Sequence, residues 1–114
     1  MPVSKAQVKT IALGFPGAHE SSHYGYPSFK IEKKFFTRVR SEDNSLVLPV
    51  ASMDEREMLL ESDPALFHIT PHYQNYPCVL VRLEKLDAKT LRGMLERRFR
   101  QIVPKRLLKE FEAK

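Results

Sequence analysis

Four histidines stand in two pairs with a spacing that some metal sites use. His19 and His23 are four residues apart, and so are His68 and His72. Two histidines at this spacing reach one zinc ion when they share a face of a helix. Both pairs fall in segments without helical signals, and residues four apart in an extended chain lie about 13 Å from each other. The spacing therefore favours polar turn histidines over a metal site.

The other residue types that act as nucleophiles or phosphate binders lack the setting that such chemistry needs. Cys78 opens an apolar stretch, where a buried and unreactive thiol is expected. Ser21 and Ser22 lack the glycines of a nucleophile elbow, and residues 54–57 are typical of the start of a helix. The four glycines, at positions 14, 17, 25 and 93, form no phosphate-binding loop. The sequence predicts a protein that is not an enzyme and holds no metal or cofactor.

The charge of the chain is concentrated at its C-terminal end. The formal net charge is +5, and residues 92–114 hold eight Lys or Arg against three Glu, whereas the remaining residues balance at eleven against eleven. A basic surplus on one element is the footprint of a protein that binds a polyanion. It is also typical of a helix C-terminus, where the helix dipole favours positive charge. Both interpretations stay open at this point.

Capping residues predict the starts and stops of two helices in the first half of the chain. The first helix begins after Ser4, which can form a capping box with Gln7. We expect this helix to end at Gly14 in a left-handed conformation. The second begins after Ser52, with acidic residues in its first turn.

A third helix begins at Asp87, and Pro104 ends or kinks it. Its apolar residues recur at 3.6-residue spacing. Arg97 and Arg100 point away from this apolar stripe, whereas Arg98 falls on it. We therefore expect Arg98 to extend towards solvent or to pair with a carboxylate, and to contribute to folding rather than to binding.

Strands are predicted where the period of the apolar residues changes to about two. Four lie near residues 21–24, 28–31, 35–40 and 46–50, joined by turns short enough for antiparallel hairpins. A fifth, residues 78–83, is apolar enough to lie inside the sheet. The order α-β-β-β-β-α-β-α predicts an α+β fold, an antiparallel sheet of about five strands with helices packed on one face.

Length and composition predict a single domain over residues 1–114. The chain has one Cys, no signal peptide and no apolar run of the roughly 18 to 20 residues that a membrane span needs. We expect a cytoplasmic protein without membrane contact, and a monomer.

Several stretches, taken in order, resemble the MmcQ/YjbR family. The fold of that family is described as similar to the frataxin homologue CyaY, an antiparallel sheet flanked by helices, which agrees with the predicted element order. The resemblance does not imply iron binding, because the predicted first helix carries no carboxylate. The matching stretches are 12–20 (ALGFPGAHE), 24–31 (YGYPSFKI), 34–36 (KFF), 54–60 (DEREMLL), 63–67 (DPALF), 70–73 (TPHY), 76–83 (YPCVLVRL) and 100–107 (RQIVPKRL).

Members of this family are usually labelled DNA-binding, through a double-wing arrangement of hairpin loops. The resemblance implies contacts with double-stranded DNA, mainly to phosphates, from a basic hairpin and from the C-terminal helix. A polar loop near residues 72–76 would form the other wing. The predicted contacts are Lys33, Lys34 and Arg38 on the hairpin, Arg97, Arg100, Lys105 and Arg106 at the C-terminal end, and His72, Tyr73, Asn75 and Tyr76 in the loop.

Two other functions stay open. The C-terminal helix suits a protein-interaction module that docks an acidic partner. A small-ligand binder could be built around His72, Tyr73 and Tyr76, provided that a pocket joins them to His19 or His23. Lysines on a hairpin also protect a sheet edge from pairing with another chain, and the loop tyrosines can serve as packing for their turns. DNA binding requires that the two basic clusters share a face.

Overall fold

The computed structural model describes residues 2–23 and 26–113, which form one antiparallel sheet and four helices. The predicted α+β class is confirmed, and two elements that we did not predict, β5 and α4, are added. In chain order the elements are α1 (Lys5–Leu13), β1 (Ala18–His23), β2 (Tyr26–Ile31), β3 (Lys34–Arg40), β4 (Ser45–Pro49), α2 (Met53–Ser62), β5 (Phe67–His68), β6 (Cys78–Arg82), α3 (Ala88–Ile102) and α4 (Lys105–Glu112).

The sheet has the strand order β1-β2-β3-β4-β6-β5. The first four strands follow one another as a meander of hairpins, as predicted. β6 then pairs with β4, from Ser45 opposite Arg82 to Pro49 opposite Cys78. Because β5 covers the other edge of β6, the prediction that this apolar stretch lies inside the sheet is confirmed.

The core lies between one face of this sheet and the helices. Alternate residues of β4 and β6 point into it, and each large apolar side chain that is fully buried contributes roughly 1.5 to 3 kcal/mol to stability. The sheet residues of the core include Ile31, Leu46, Leu48, Val79 and Val81, and the helices add Val8, Leu91, Leu95 and Phe99.

A β-bulge in β3 turns one more aromatic side chain towards this core. Phe29 lies opposite Thr37 and Lys30 lies opposite Phe35, so Phe36 is an extra residue without its own partner on β2. A bulge changes the direction of a side chain relative to the regular alternation of a strand. Phe36 is fully buried as a result.

Four phenylalanine rings from four parts of the chain meet in the core. Phe15 lies edge-on to Phe36, with ring centroids 5.6 Å apart, and its centroid is 5.0 Å from that of Phe99. Phe111 stacks on Phe15 at 5.7 Å and lies 5.0 Å from Phe99. Aromatic pairs in such arrangements add about 0.5 to 1.5 kcal/mol beyond the area they bury. The helix α4, which carries Phe111, is therefore part of the packed domain.

The predicted helix starts are confirmed by their caps. The Ser4 hydroxyl accepts from the Gln7 backbone N–H, and the Gln7 side-chain carbonyl accepts from the Ser4 N–H, at 3.2 and 2.8 Å. Ser52 caps α2 and Asp87 caps α3 by accepting backbone N–H groups of their first turns. Hydrogen bonds of this kind contribute about 1 kcal/mol each.

The predicted left-handed stop at Gly14 is wrong. Gly14 has a φ of −74°, in the right-handed region. Among the glycines of the described ranges, the left-handed one is Gly17, with a φ of 78°, three residues further along. A Cβ at Gly17 would also lie 2.7 Å from Leu107 Cδ1, because α4 crosses the chain closely at this point. The left-handed backbone favours glycine here, and a Cβ would in addition displace the end of the Leu107 side chain.

Pro104 ends α3, as predicted, and it also precedes α4. Val103 is extended, with ψ 138°, because a proline disfavours the helical conformation in the residue before it. Proline is tolerated at a helix start, where no intrahelical donor is needed, so a new helix begins at Lys105. None of the four helices in the described part of the chain is long and apolar enough to cross a membrane.

Candidate functional site

The β2–β3 hairpin tip meets the junction between α3 and α4. The tip consists of Glu32 and Lys33, and Glu32 takes the positive φ of 55° that closes the turn. The Glu32 backbone is fixed on both sides, because its N–H donates to Gly17 O at 3.1 Å and its carbonyl lies 2.7 Å from His19 Nε2. The Glu32 carboxylate accepts a hydrogen bond from the Arg106 guanidinium of α4. This contact joins two segments that are 74 residues apart.

An open groove of about 460 Å³ lies at this contact. We call it the hairpin groove. Its apolar floor comes from Ile31, Ile102 and Pro104, and its rim from His19, Glu32, Lys33 and Lys34. Lys105 and Arg106 follow Pro104 directly and are both exposed. One part of each predicted basic cluster therefore lies at or next to the hairpin groove: Lys33 and Lys34 of the hairpin, and Arg106 of the C-terminal end.

The N-terminus of α4 adds backbone donors beside these side chains. The residue at the cap position is Pro104, whose side chain makes no capping hydrogen bond. The first backbone N–H of α4 that bonds back to Pro104 belongs to Leu107. The N–H groups of Lys105 and Arg106 are thus left without an acceptor in the described part of the chain. Such N–H groups and the positive end of the helix dipole favour a bound anion.

Arg97 and Arg100 lie outside the hairpin groove and form ion pairs of their own. Arg97 Nε lies 3.0 Å from Glu55 Oε1 of α2. Arg100 pairs with Glu96 at 3.3 Å and with Glu112 at 3.1 Å, and these hydrogen bonds raise the pKa of Arg100 above its ordinary value. The C-terminal charges are therefore divided. Arg106 contacts the hairpin and Lys105 is exposed next to it in sequence, whereas Arg97 pairs with α2 and Arg100 with Glu96 and the end of α4.

Arg38 does not lie on an open hairpin surface beside Lys33 and Lys34. Its side chain is only 9% exposed, and its Nη2 donates to the Tyr73 hydroxyl at 3.0 Å. Along an extended strand, Arg38 stands about 13 Å from Lys34. Our expectation of an exposed wing is corrected here, because the loop of residues 70–77 covers this half of β3. Arg40, two residues on, stacks over the Tyr73 ring at 5.4 Å.

The loop of residues 70–77 is held down by Arg56, a residue that the sequence did not single out. Arg56 belongs to α2, is 6% exposed, and its Nη1 donates to three backbone carbonyls of the loop. The acceptors are Gln74 O at 2.7 Å and the carbonyls of Tyr73 and Tyr76 at 3.3 Å each. Its Nε and Nη2 donate to the Glu57 carboxylate. Because one buried guanidinium donates to three of its carbonyls, the backbone conformation of the loop is fixed.

The loop side chains form an aromatic cluster beside the sheet. The His72 ring lies 4.8 Å from Tyr73 and 6.3 Å from Tyr76, centroid to centroid. Tyr76 is 55% exposed, and Asn75 is exposed at the tip. The hairpin groove, which His19 lines, contains none of these residues, and the side chain of His23 lies outside the described residues. The hairpin groove is therefore not the pocket between the loop and His19 that a small-ligand binder would need.

A serine, a histidine and an aspartate meet at the end of β4, but their geometry differs from that of a nucleophilic triad. Ser45 Oγ lies 2.9 Å from His68 Nε2, and Asp43 Oδ2 lies 3.9 Å from the same nitrogen. A triad uses the two different ring nitrogens for these contacts, and Ser45 is fully buried. Burial first, and then the nearby Arg82, lower the pKa of His68.

Cys78 is buried and Arg98 is partly buried. Burial raises the pKa of the Cys78 thiol to about 11, as expected for an unreactive cysteine. Arg98 donates from Nη2 to Phe35 O at 2.7 Å. Its partner is therefore a backbone carbonyl, whereas we expected it to extend towards solvent or to pair with a carboxylate. Within the described ranges, no group of three His, Cys, Asp or Glu side chains is placed to hold a metal ion.

Comparison with known proteins gives relatives of unknown function. Uncharacterized protein Rv2570 of Mycobacterium tuberculosis and Uncharacterized protein Mb2600 of Mycobacterium bovis are each 31% identical to this chain over 90 residues, which is 76% of this chain and 70% of theirs. No solved structure matches the chain significantly, so the likeness to CyaY stays a prediction. The family model described as YjbR matches residues 13–101. The chain therefore belongs to the YjbR family.

Proposed function

We propose that this protein binds double-stranded DNA without catalysing a reaction, and that the hairpin groove is the contact surface. One observation carries the proposal, namely that the β2–β3 tip and the start of α4 adjoin through Glu32 and Arg106. This contact brings Arg106 onto Glu32, beside the exposed Lys33 and Lys34 of the groove rim, and the exposed Lys105 precedes Arg106 in the chain. A surface of this composition attracts phosphate groups.

The ion pair at the groove is one that a phosphate can replace. The Arg106 and Glu32 side chains are 67% and 40% exposed, and exposed ion pairs contribute about 0 to 1 kcal/mol. A guanidinium binds phosphate with two parallel hydrogen bonds. The free N–H groups at the start of α4 can donate to the same oxygens. Arg106 can therefore exchange its carboxylate for a phosphate at little cost.

Recognition of this kind depends weakly on base sequence. Phosphate contacts fix the position of a protein on a duplex but carry no base information. The rim consists of two lysines, His19 and Glu32, and none of the described lining residues has an amide side chain. Amides are the side chains that read adenine. Asn75 does have an amide side chain, but its loop, residues 70–77, packs on the opposite half of β3. This loop is not required for DNA binding at the hairpin groove. We expect similar affinities for duplexes of different sequence.

The first test is a salt titration of duplex binding by fluorescence anisotropy. Each phosphate contact contributes about −0.9 to the slope of log affinity against log salt. Four contacts give a slope of roughly −3.6. A slope near zero, or no binding to any duplex at low salt, would remove the proposal.

One double and one single substitution at the groove sharpen the test because their expected effects on affinity are opposite. Lys33→Ala with Lys34→Ala should weaken binding and reduce the slope by about 2. Glu32→Gln removes the carboxylate that competes with phosphate, so this variant should bind more tightly than the wild type. Lys85→Ala with Lys89→Ala removes the same charge from exposed positions next to and within the start of α3, and it should have a much smaller effect.

The same variants distinguish DNA from an acidic protein partner. A duplex presents phosphates at regular spacing on a stiff helix, whereas poly-L-glutamate presents carboxylates on a flexible chain. If poly-L-glutamate displaces the duplex at equal charge concentration, the groove is a general acidic-partner site and the DNA proposal fails. If a large excess is needed, the DNA proposal is supported.

A further inference from the structure

A second groove, of about 310 Å³, lies between α2 and α3 at the end of β4. We call it the helix groove. It is separate from the hairpin groove, with which it shares no lining residue. Its walls are mainly apolar, and two arginines, Arg97 and Arg98, stand among them. The apolar lining residues are Leu48, Pro49, Val50, Met58, Leu59, Phe67 and Met94, and Glu55 and Gln101 complete the groove.

Arg98 is a partly buried charge without a counter-charge. Its Nη2 donates to Phe35 O at 2.7 Å, which is its one hydrogen bond within the described residues. Its Nε is buried and has no acceptor there. Burial lowers the pKa of Arg98, and no carboxylate offsets this effect. An unpaired guanidinium in an apolar setting costs free energy unless an anion compensates it.

The remaining charges of the helix groove do not supply this anion. Glu55 already accepts from Arg97 Nε and from the Ala51 N–H, at 3.0 Å each. Burial alone would raise the pKa of Glu55, but these hydrogen bonds outweigh burial and hold it below the ordinary value. Two guanidiniums therefore face one carboxylate that is fully engaged. The groove has a surplus of one positive charge.

We propose that the helix groove binds a small amphipathic monocarboxylate, with the carboxylate on Arg98 and the apolar part against Leu59, Phe67 and Met94. One negative charge matches the surplus of the groove, and the apolar walls match a hydrocarbon chain. The volume lies at the lower end of the roughly 300 to 1,000 Å³ range of small-ligand sites, which favours a short chain. Met58 and Met94 give the groove adaptable walls.

The test compares octanoate with 1-octanol, which have equal chain length and differ in charge. Each is titrated into the isotopically labelled full chain, below the micellar range, and dissociation constants are taken from amide chemical-shift changes. We expect octanoate to shift residues of α2 and α3 around the groove, and to bind at least tenfold more tightly than octanol. Equal affinities, no shifts, or shifts away from the groove would overturn the proposal.

Arg98→Met tests the role of the guanidinium, because methionine keeps the unbranched shape and removes the charge. This variant should lose the tenfold preference for octanoate while still binding octanol. Arg92→Met, an exposed arginine of α3 outside the groove, is the matched control and should keep the preference. A preference that persists in Arg98→Met refutes the assignment. Should Arg98→Met not fold, the wild-type comparison of octanoate with octanol decides by itself.

Discussion

Replacing Arg56 by methionine should destabilise the protein more than any substitution of an exposed arginine. Methionine fills most of the buried space but donates no hydrogen bond, so the carbonyls of Tyr73, Gln74 and Tyr76 lose their shared donor. Glu57 is 54% exposed and can be hydrated after the change. The loss therefore comes mainly from the loop carbonyls and not from an orphaned charge.

The magnitude follows from these contacts. A hydrogen bond from a charged donor contributes about 1.5 to 3 kcal/mol, and the shortest of the three, to Gln74 O at 2.7 Å, should account for most of it. The two longer bonds share the same nitrogen and add less. Because water can reach part of this loop, we expect a total loss of about 2 to 4 kcal/mol in the free energy of unfolding. That is a large part of the roughly 5 to 15 kcal/mol of a small domain.

The assay is urea unfolding followed by far-ultraviolet circular dichroism. With an m-value of roughly 1 to 3 kcal/mol/M, the expected loss lowers the midpoint by at least about 0.7 M. Arg82→Met is the matched control, since Arg82 donates to Pro64 O and Ala65 O at 3.1 and 3.2 Å but is more exposed than Arg56. A loss below about 1 kcal/mol in Arg56→Met, or one equal to that of the control, would contradict the reasoning.

Three further outcomes are expected. Gly17→Ala should destabilise the protein by about 1 to 3 kcal/mol, because the new Cβ combines a left-handed φ of 78° with a contact to Leu107. Gly93→Ala, where the new Cβ meets nothing within 4 Å, should stabilise α3 by about 0.5 to 1 kcal/mol. Thermal unfolding of both variants checks this pair. Cys78, whose pKa is raised to about 11, should react with iodoacetamide at pH 8 only after denaturation, as followed by mass spectrometry. The folded state lowers the pKa of His68 below 6.5, so the contribution of neutral His68 to stability is complete above that pH and is lost as the pH falls. His68→Gln should therefore show a smaller decrease in urea midpoint between pH 7 and pH 5 than the wild type. An equal decrease would exclude this histidine as a cause.

Local signals predicted the helix starts and the inner strand well. Ser4, Ser52 and Asp87 cap helices because their side chains bond within three residues, and such short-range contacts can be read from the sequence. β5 was missed because it has two residues, Phe67 and His68, and is a strand only by pairing with β6. That pairing is a tertiary contact.

The candidate site depended on contacts that no local pattern shows. Lys33 and Arg106 were both predicted as contact residues. They lie close together because Glu32 contacts Arg106, which is 74 residues further along the chain. Arg38 was predicted as a DNA contact because its own strand gives no sign of the loop that covers it. Arg56 looked like part of a charged helix start, and its role depends on carbonyls 17 to 20 residues away.

The stacking of Phe111 on Phe15 and Phe99 sets the boundaries of the smallest fragment that should fold alone. The match to the YjbR family covers residues 13–101, which omits Phe111 of α4 and also most of α1, including the fully buried Val8. A fragment cut to the matched residues would expose the rings that Phe111 covers and would open the core on the side of α1. Loss of either large apolar contact costs several kcal/mol of stability. The chain that must be expressed for any experiment is therefore longer than the residues that match the family.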